Sequence, residues 1–128
     1  MELTLTHVQR INLHALMGAQ RGPTLDDTRA FWKLQDIIAL SDEEKKEIDY
    51  QVIQVQGGSA PQWDPTKSLE PRTYEFTSDE FERLEQAVKN WQPGFVASLD
   101  RVWLEPLLRQ FEEKDGAKAK PTPMRRAK

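Results

Sequence analysis

The side chains able to do chemistry are limited in kind. There is no cysteine, so disulfides and thiolate metal sites are excluded and nothing calls for an oxidising compartment. The histidines are His7 and His14. Seven residues apart on a helix they share a face, but about 10 Å of rise separates them. That is too far to chelate one ion as an i, i+4 pair does, and neither has a glutamate three residues away in the di-iron pattern. They are read as helix-surface histidines.

Carboxylates are plentiful, with 21 Asp and Glu. Asp42, Glu43, Glu44 and Glu47 fall in one expected helix, and Asp79, Glu80, Glu82 and Glu85 in another. These are positions where helix starts and solvated faces take negative charge. No spacing singles out a facing pair with separated pKa values, as acid–base catalysis needs. Among the serines, Ser41 reads as a cap, Ser78 lies within a second capping sequence, and Ser59 lacks a G-x-S-x-G elbow. Neither a Walker A loop nor G-x-G-x-x-G occurs, and Gly57-Gly58 reads as a hairpin turn. No catalytic residue, metal site or cofactor is therefore assigned.

Two features suit binding rather than reaction. Four tryptophans are many for 128 residues. Trp32, Trp91 and Trp103 have apolar helical neighbours and are expected in a core. Trp63 lies in a Pro/Gly-rich segment, where it either plugs a hairpin onto the helices or anchors a partner; packing is favoured. The second feature is charge asymmetry. From Lys114 onward six basic residues stand against Asp115 alone, giving the tail +5 and residues 1–113 a net −8. Lys118, Lys120, Arg125 and Arg126 could contact nucleic acid or an acidic surface. The tail has no interleaved aromatics, and the acidic body would repel phosphate.

The elements that must position these groups are mostly helical. Thr6 caps a short helix ended by Gly18 and Arg21-Gly22-Pro23, with Val8, Ile11 and Ala15 on one face and Leu16 beside it. Thr24 caps a second helix carrying Phe31, Leu34, Ile37 or Ile38, and Leu40; the short loop before it predicts an antiparallel pair. Ser41-Asp42-Glu43-Glu44 is a capping box for a third helix reaching about Asp49. Tyr50 to Gln56 is β-branched and partly alternating, and reads as a strand turning at Gly57-Gly58. Pro61 to Pro65 reads as a short or edge return strand, and Arg72 to Phe76 as another strand. Thr77 with Glu80 boxes a fourth helix with a Phe81, Leu84, Val88, Trp91 stripe. A fifth stretch, from about Phe95 to Glu113, presents Val96, Leu99, Val102 and Trp103, then Leu107, Leu108 and Phe111. Pro106 is expected to kink or split it.

The fold expected is α+β, mostly helical: about five helices with a small antiparallel β-hairpin or three-stranded sheet. Residues 1–113 are read as one globular α-rich domain and 114–128 as a disordered basic tail. No apolar run approaches the ~20 residues of a spanning helix, and the start lacks a signal peptide's basic and apolar regions. A cytoplasmic location is expected, without membrane contact.

The order of these elements, with Thr4-Leu5-Thr6, Leu40-Ser41-Asp42-Glu43-Glu44-Lys45, the Gln/Val strand before Gly-Gly, Trp63-Asp64, Tyr74-Glu75-Phe76 and Ser78-Asp79-Glu80-Phe81, resembles a set of small uncharacterised proteins of tailed bacteriophages and prophages. The resemblance spans about residues 3–111. It implies a phage-linked accessory or binding role in the host cytoplasm and carries no catalytic residues. The function expected is a non-catalytic protein-binding module acting on a phage or host protein. The alternatives are nucleic-acid binding through the basic tail and a virion or assembly component.

Overall fold

A computed structural model describes residues 1–119, with side chains to Lys114. Its order is β1 (Glu2–Leu5), α1 (His7–Gly18), α2 (Leu25–Ile38), α3 (Asp42–Glu47), β2 (Gln51–Val55), β3 (Gly58–Gln62), β4 (Arg72–Glu75), α4 (Ser78–Lys89) and α5 (Ala97–Ala119). The fold is α+β and mostly helical. Its strands form two two-stranded sheets, β1 with β4 and β2 with β3. The chain divides into two compact units. One runs from Thr4 to Arg72; the other joins Met1–Leu3 to the chain from Thr73 onward.

In the Thr4–Arg72 unit, local capping chemistry starts every helix. Thr6 and Gln9 exchange side chain-to-backbone bonds, as do Ser41 and Glu44, while the Thr24 hydroxyl accepts from the Asp27 N–H. The helices α1 and α2 pack as an antiparallel pair, with Arg10 meeting the end of α2 at Ile38 and the Gln35 amide donating to the His14 carbonyl. Ile11, Leu13, Leu16, Met17, Leu34, Ile38 and Ile48 are buried. Ala15, expected among them, is exposed, because the buried face of α1 is centred on Leu13 and Met17. Trp32, expected in a core, is 55% exposed. It lies about 100° around the helix from Phe31, outside the stripe formed by Leu34 and Ile38.

In the other unit, the Phe76 N–H donates to the Met1 carbonyl at 2.8 Å, and the N-terminal ammonium reaches the Phe76 carbonyl and the Glu75 carboxylate. Thr77 and Glu80 complete the expected capping box of α4. Phe81, Leu84 and Val88 are buried, and Phe81 meets Phe111 edge-on at 5.4 Å. That contact chooses the buried face of α5: Trp103, Leu107 and Phe111. Val96, Leu99 and Val102, expected on the same face, are exposed: Val102, at 79%, lies off this stripe, Leu99, at 73%, continues it one turn before Trp103 but is left uncovered, and Val96 precedes the helix. Helix α5 runs through Pro106 without a break. The carbonyl left without a donor belongs to Val102, whose exposed position gives it access to water. Asp100 caps the helix start, accepting from the Val96 N–H at 2.7 Å and the Trp103 indole at 3.0 Å.

Candidate functional site

Two places within the Thr4–Arg72 unit concentrate unusual side chains. The first is the junction of α1, α2 and α3. Arg10 is 1% exposed, and its guanidinium is committed. Nε donates to the Ile38 carbonyl at 3.0 Å, and Nη2 donates to the Ala39 carbonyl at 2.8 Å. Nη1 and Nη2 take the two Glu44 oxygens at 2.7 and 2.9 Å. A positive fork on the last carbonyls of α2 satisfies groups the helix cannot bond itself and complements its dipole. Glu44 also accepts from the Ser41 N–H, so one carboxylate closes the capping box and neutralises Arg10. The hydrogen bond from Arg10 brings its pKa from 4.5 down to about 2.

Beside this junction is a cavity of about 70 Å³ lined by Arg10, Ile11, His14, Ala39, Leu40, Lys45 and Tyr50. Partial burial lowers the His14 pKa, and the Lys45 charge adds to it against the opposing Asp36. Lys45 stands over the Tyr50 ring at 5.6 Å. With Arg10 bound to Glu44 and to backbone, this geometry holds three helices together.

The second place is the β2–β3 hairpin. Val52, Ile53 and Val55 favour extended backbone, and Gln56-Gly57 makes the two-residue turn. Gly57 has φ +92°, the left-handed geometry that a type II turn assigns to glycine. The register pairs Gln51 with Gln62, Val52 with Pro61, Ile53 with Ala60, Gln54 with Ser59 and Val55 with Gly58. Pro61 fixes which pairs exchange hydrogen bonds. It has no N–H, so it occupies a site whose amide would point away from β2. The bonded pairs are therefore 51–62, 53–60 and 55–58. The N–H and C=O groups of Val52 and Gln54 point outward from the free edge of β2.

The base of the hairpin is anchored. The Asp64 N–H donates to the Ile48 carbonyl at 2.8 Å, and Lys67 bridges Asp49 at 2.8 Å. Asp64 accepts from the N–H and hydroxyl of Thr66 at 2.8 and 2.7 Å, which lowers its pKa. Asp49 supports the entry in a left-handed conformation, φ +55°. Trp63 is half-buried and meets His7 edge-on at 6.4 Å, beside a shallow groove lined by Asp49, Gln51, Gln62 and Asp64. His7 Nδ1 is buried without a hydrogen-bond partner. Desolvation, followed by the nearby Arg10 charge, lowers the His7 pKa.

Beyond that base the strands are solvated. Only Ile53 and Ala60 are half-buried, while Val52 is 59% exposed and Val55 is also exposed. A sequence signal for this site exists and is easily passed over. Tyr50 to Trp63 is the longest stretch without a charged side chain, in a chain that is 30% charged.

The binding candidates read from the sequence are not gathered into one place. Trp63 stands at the hairpin base. Lys118 lies on the helical backbone of α5, and its side chain is outside the described residues, as are Lys120, Arg125 and Arg126. Among the described residues no three His, Asp or Glu side chains group as a metal site would require. No described helix is long and apolar enough to cross a membrane. No family model, curated protein or solved structure matches the chain.

Proposed function

We propose that this chain is a non-catalytic protein-binding module and that the β2–β3 hairpin is its contact element. The observation that carries this is an exposed, uncharged hairpin anchored at its base, with β-branched side chains in solvent and a β2 edge on which no further strand is paired. Exposed apolar side chains on a neutral strand suit a protein surface better than phosphates, which are held by Lys and Arg. The Arg10–Glu44 junction gives the hairpin a rigid root: α3 leads directly into β2, and the Tyr50 N–H donates to the Lys45 carbonyl at 2.8 Å. The resemblance to small proteins of tailed phages favours a phage or host protein as the partner.

The test is saturable capture from a bacterial host lysate by wild type, by Val52→Lys and by a chain ending at Lys114. The expected result is one saturable partner, lost with Val52→Lys and kept by the shortened chain. Capture that survives Val52→Lys but disappears with the tail would overturn the assignment and favour the basic tail.

A further inference from the structure

We infer that the free edge of β2 pairs with β2 of a second copy of this chain, giving a four-stranded sheet in the order β3-β2-β2-β3. This rests on the hairpin being the binding element, and it names what occupies the edge.

The two edges of the hairpin differ. On the outer edge of β3, Pro61 has no N–H to donate, so a further strand cannot be bonded there in full. On the outer edge of β2, Val52 and Gln54 each offer an N–H and a C=O, and no charge, proline or bulge guards them. A two-stranded sheet solvated on most of both faces is also short of the strands that stabilise such structure.

A second copy fits this edge for three reasons. First, antiparallel pairing about Ile53 sets Val52 against Gln54 of the second copy, so both outward residues exchange both bonds. Second, that register opposes Gln51 to Val55 and Ile53 to its twin, so no like charges meet. A two-fold axis brings residues against their own kind, and a charged strand would pay for this in repulsion. Each chain carries net charge −3, and the hairpin is the neutral element along which two such chains can approach. Third, Pro61 of each copy ends the sheet on its far side, so the assembly stops at two copies and does not grow into a filament. The finished sheet presents Val52 and Pro61 from both copies on one face, a wider platform for the protein partner.

Sedimentation of the full chain from about 1 µM to about 1 mM, where a small interface equilibrates, tests this. Wild type should pass from monomer to dimer. Gln54→Pro removes an outward N–H from each copy and should weaken the dimer by more than about tenfold. Ser59→Pro, the matching change on the outer edge of β3, should leave the dimer intact. Circular dichroism checks that each variant is folded. Should Gln54→Pro unfold, Gln54→Lys places an edge lysine in solvent and should weaken the dimer several-fold through repulsion between the copies. Wild type that stays monomeric throughout overturns the inference, as does a dimer indifferent to Gln54 or one equally sensitive to Ser59→Pro. In any of these cases, capture of a partner that Val52→Lys abolishes would still support the hairpin as a binding element.

Discussion

The helix junction and the hairpin belong to the same compact unit and treat charge in opposite ways. At the junction, an arginine is buried and four of its five N–H groups donate to Ile38, Ala39 and Glu44. At the hairpin, charged side chains are excluded from Tyr50 to Trp63, and the backbone N–H and C=O groups of Val52 and Gln54 face outward from the edge of β2. A buried charge held by four such bonds is committed to the fold. A neutral strand with an open edge still has backbone N–H and C=O groups that its own sheet does not use.

The largest effect should come from breaking the junction. Glu44→Ala leaves a buried guanidinium uncompensated and should destabilise the chain by about 3–5 kcal/mol in denaturant unfolding. Adding Arg10→Met should recover part of that loss, because the stranded charge is then gone. A second substitution that worsens stability additively would show the two residues to be uncoupled. At the hairpin base, Trp63→Ala should cost about 2 kcal/mol through lost burial and the edge contact with His7. On the exposed strand, Val52→Lys should change stability by less than about 0.5 kcal/mol while abolishing partner capture. A large loss of stability there would mean that the strand is packed rather than available.

Acid should separate the two regions as well. The folded-state pKa of Glu44 is about 2 against an ordinary 4.5, so below pH 4.5 the unfolded chain takes up its proton first. The contribution of the junction is therefore complete above pH 4.5 and is lost as pH falls toward 2. Glu44→Gln should flatten that part of the stability profile. His7 and His14 are also lowered, from 6.5, so a smaller loss should begin as pH drops through 6.5. His7→Asn should remove its share, whereas Val52→Lys should leave the whole profile in place.

What the sequence made legible was local. The boxes at Ser41–Glu44 and Thr77–Glu80, the cap at Thr24 and the strand before Gly57 each depend on residues within a few positions of one another. Strand β1 escaped because its partner, β4, lies about 70 residues away and Glu2–Leu5 is too short to show its own period. The apolar stripe of helix α5 extends to Leu99, and only contacts from distant residues, such as Phe81 on Phe111, decide that it is covered from Trp103 onward. Arg10 was readable in principle, since it sits one turn before Leu13 on the buried stripe of α1. Its partner could not be read, because Glu44 already had a local reason to be there. The open edge of β2 needed the register, which turns Pro61 from a turn signal into a guard on the opposite strand.

Amide hydrogen exchange resolved by residue tests the contrast most directly. In dilute solution the Val52 and Gln54 amides should exchange almost as fast as free peptide, while those of Ile53 and Val55 are protected by β3. Raising the concentration should slow Val52 and Gln54 by about tenfold or more and leave Ile53 and Val55 nearly unchanged. Protection of Val52 and Gln54 already in dilute solution, or exchange there indifferent to concentration, would contradict an edge held open for a second copy.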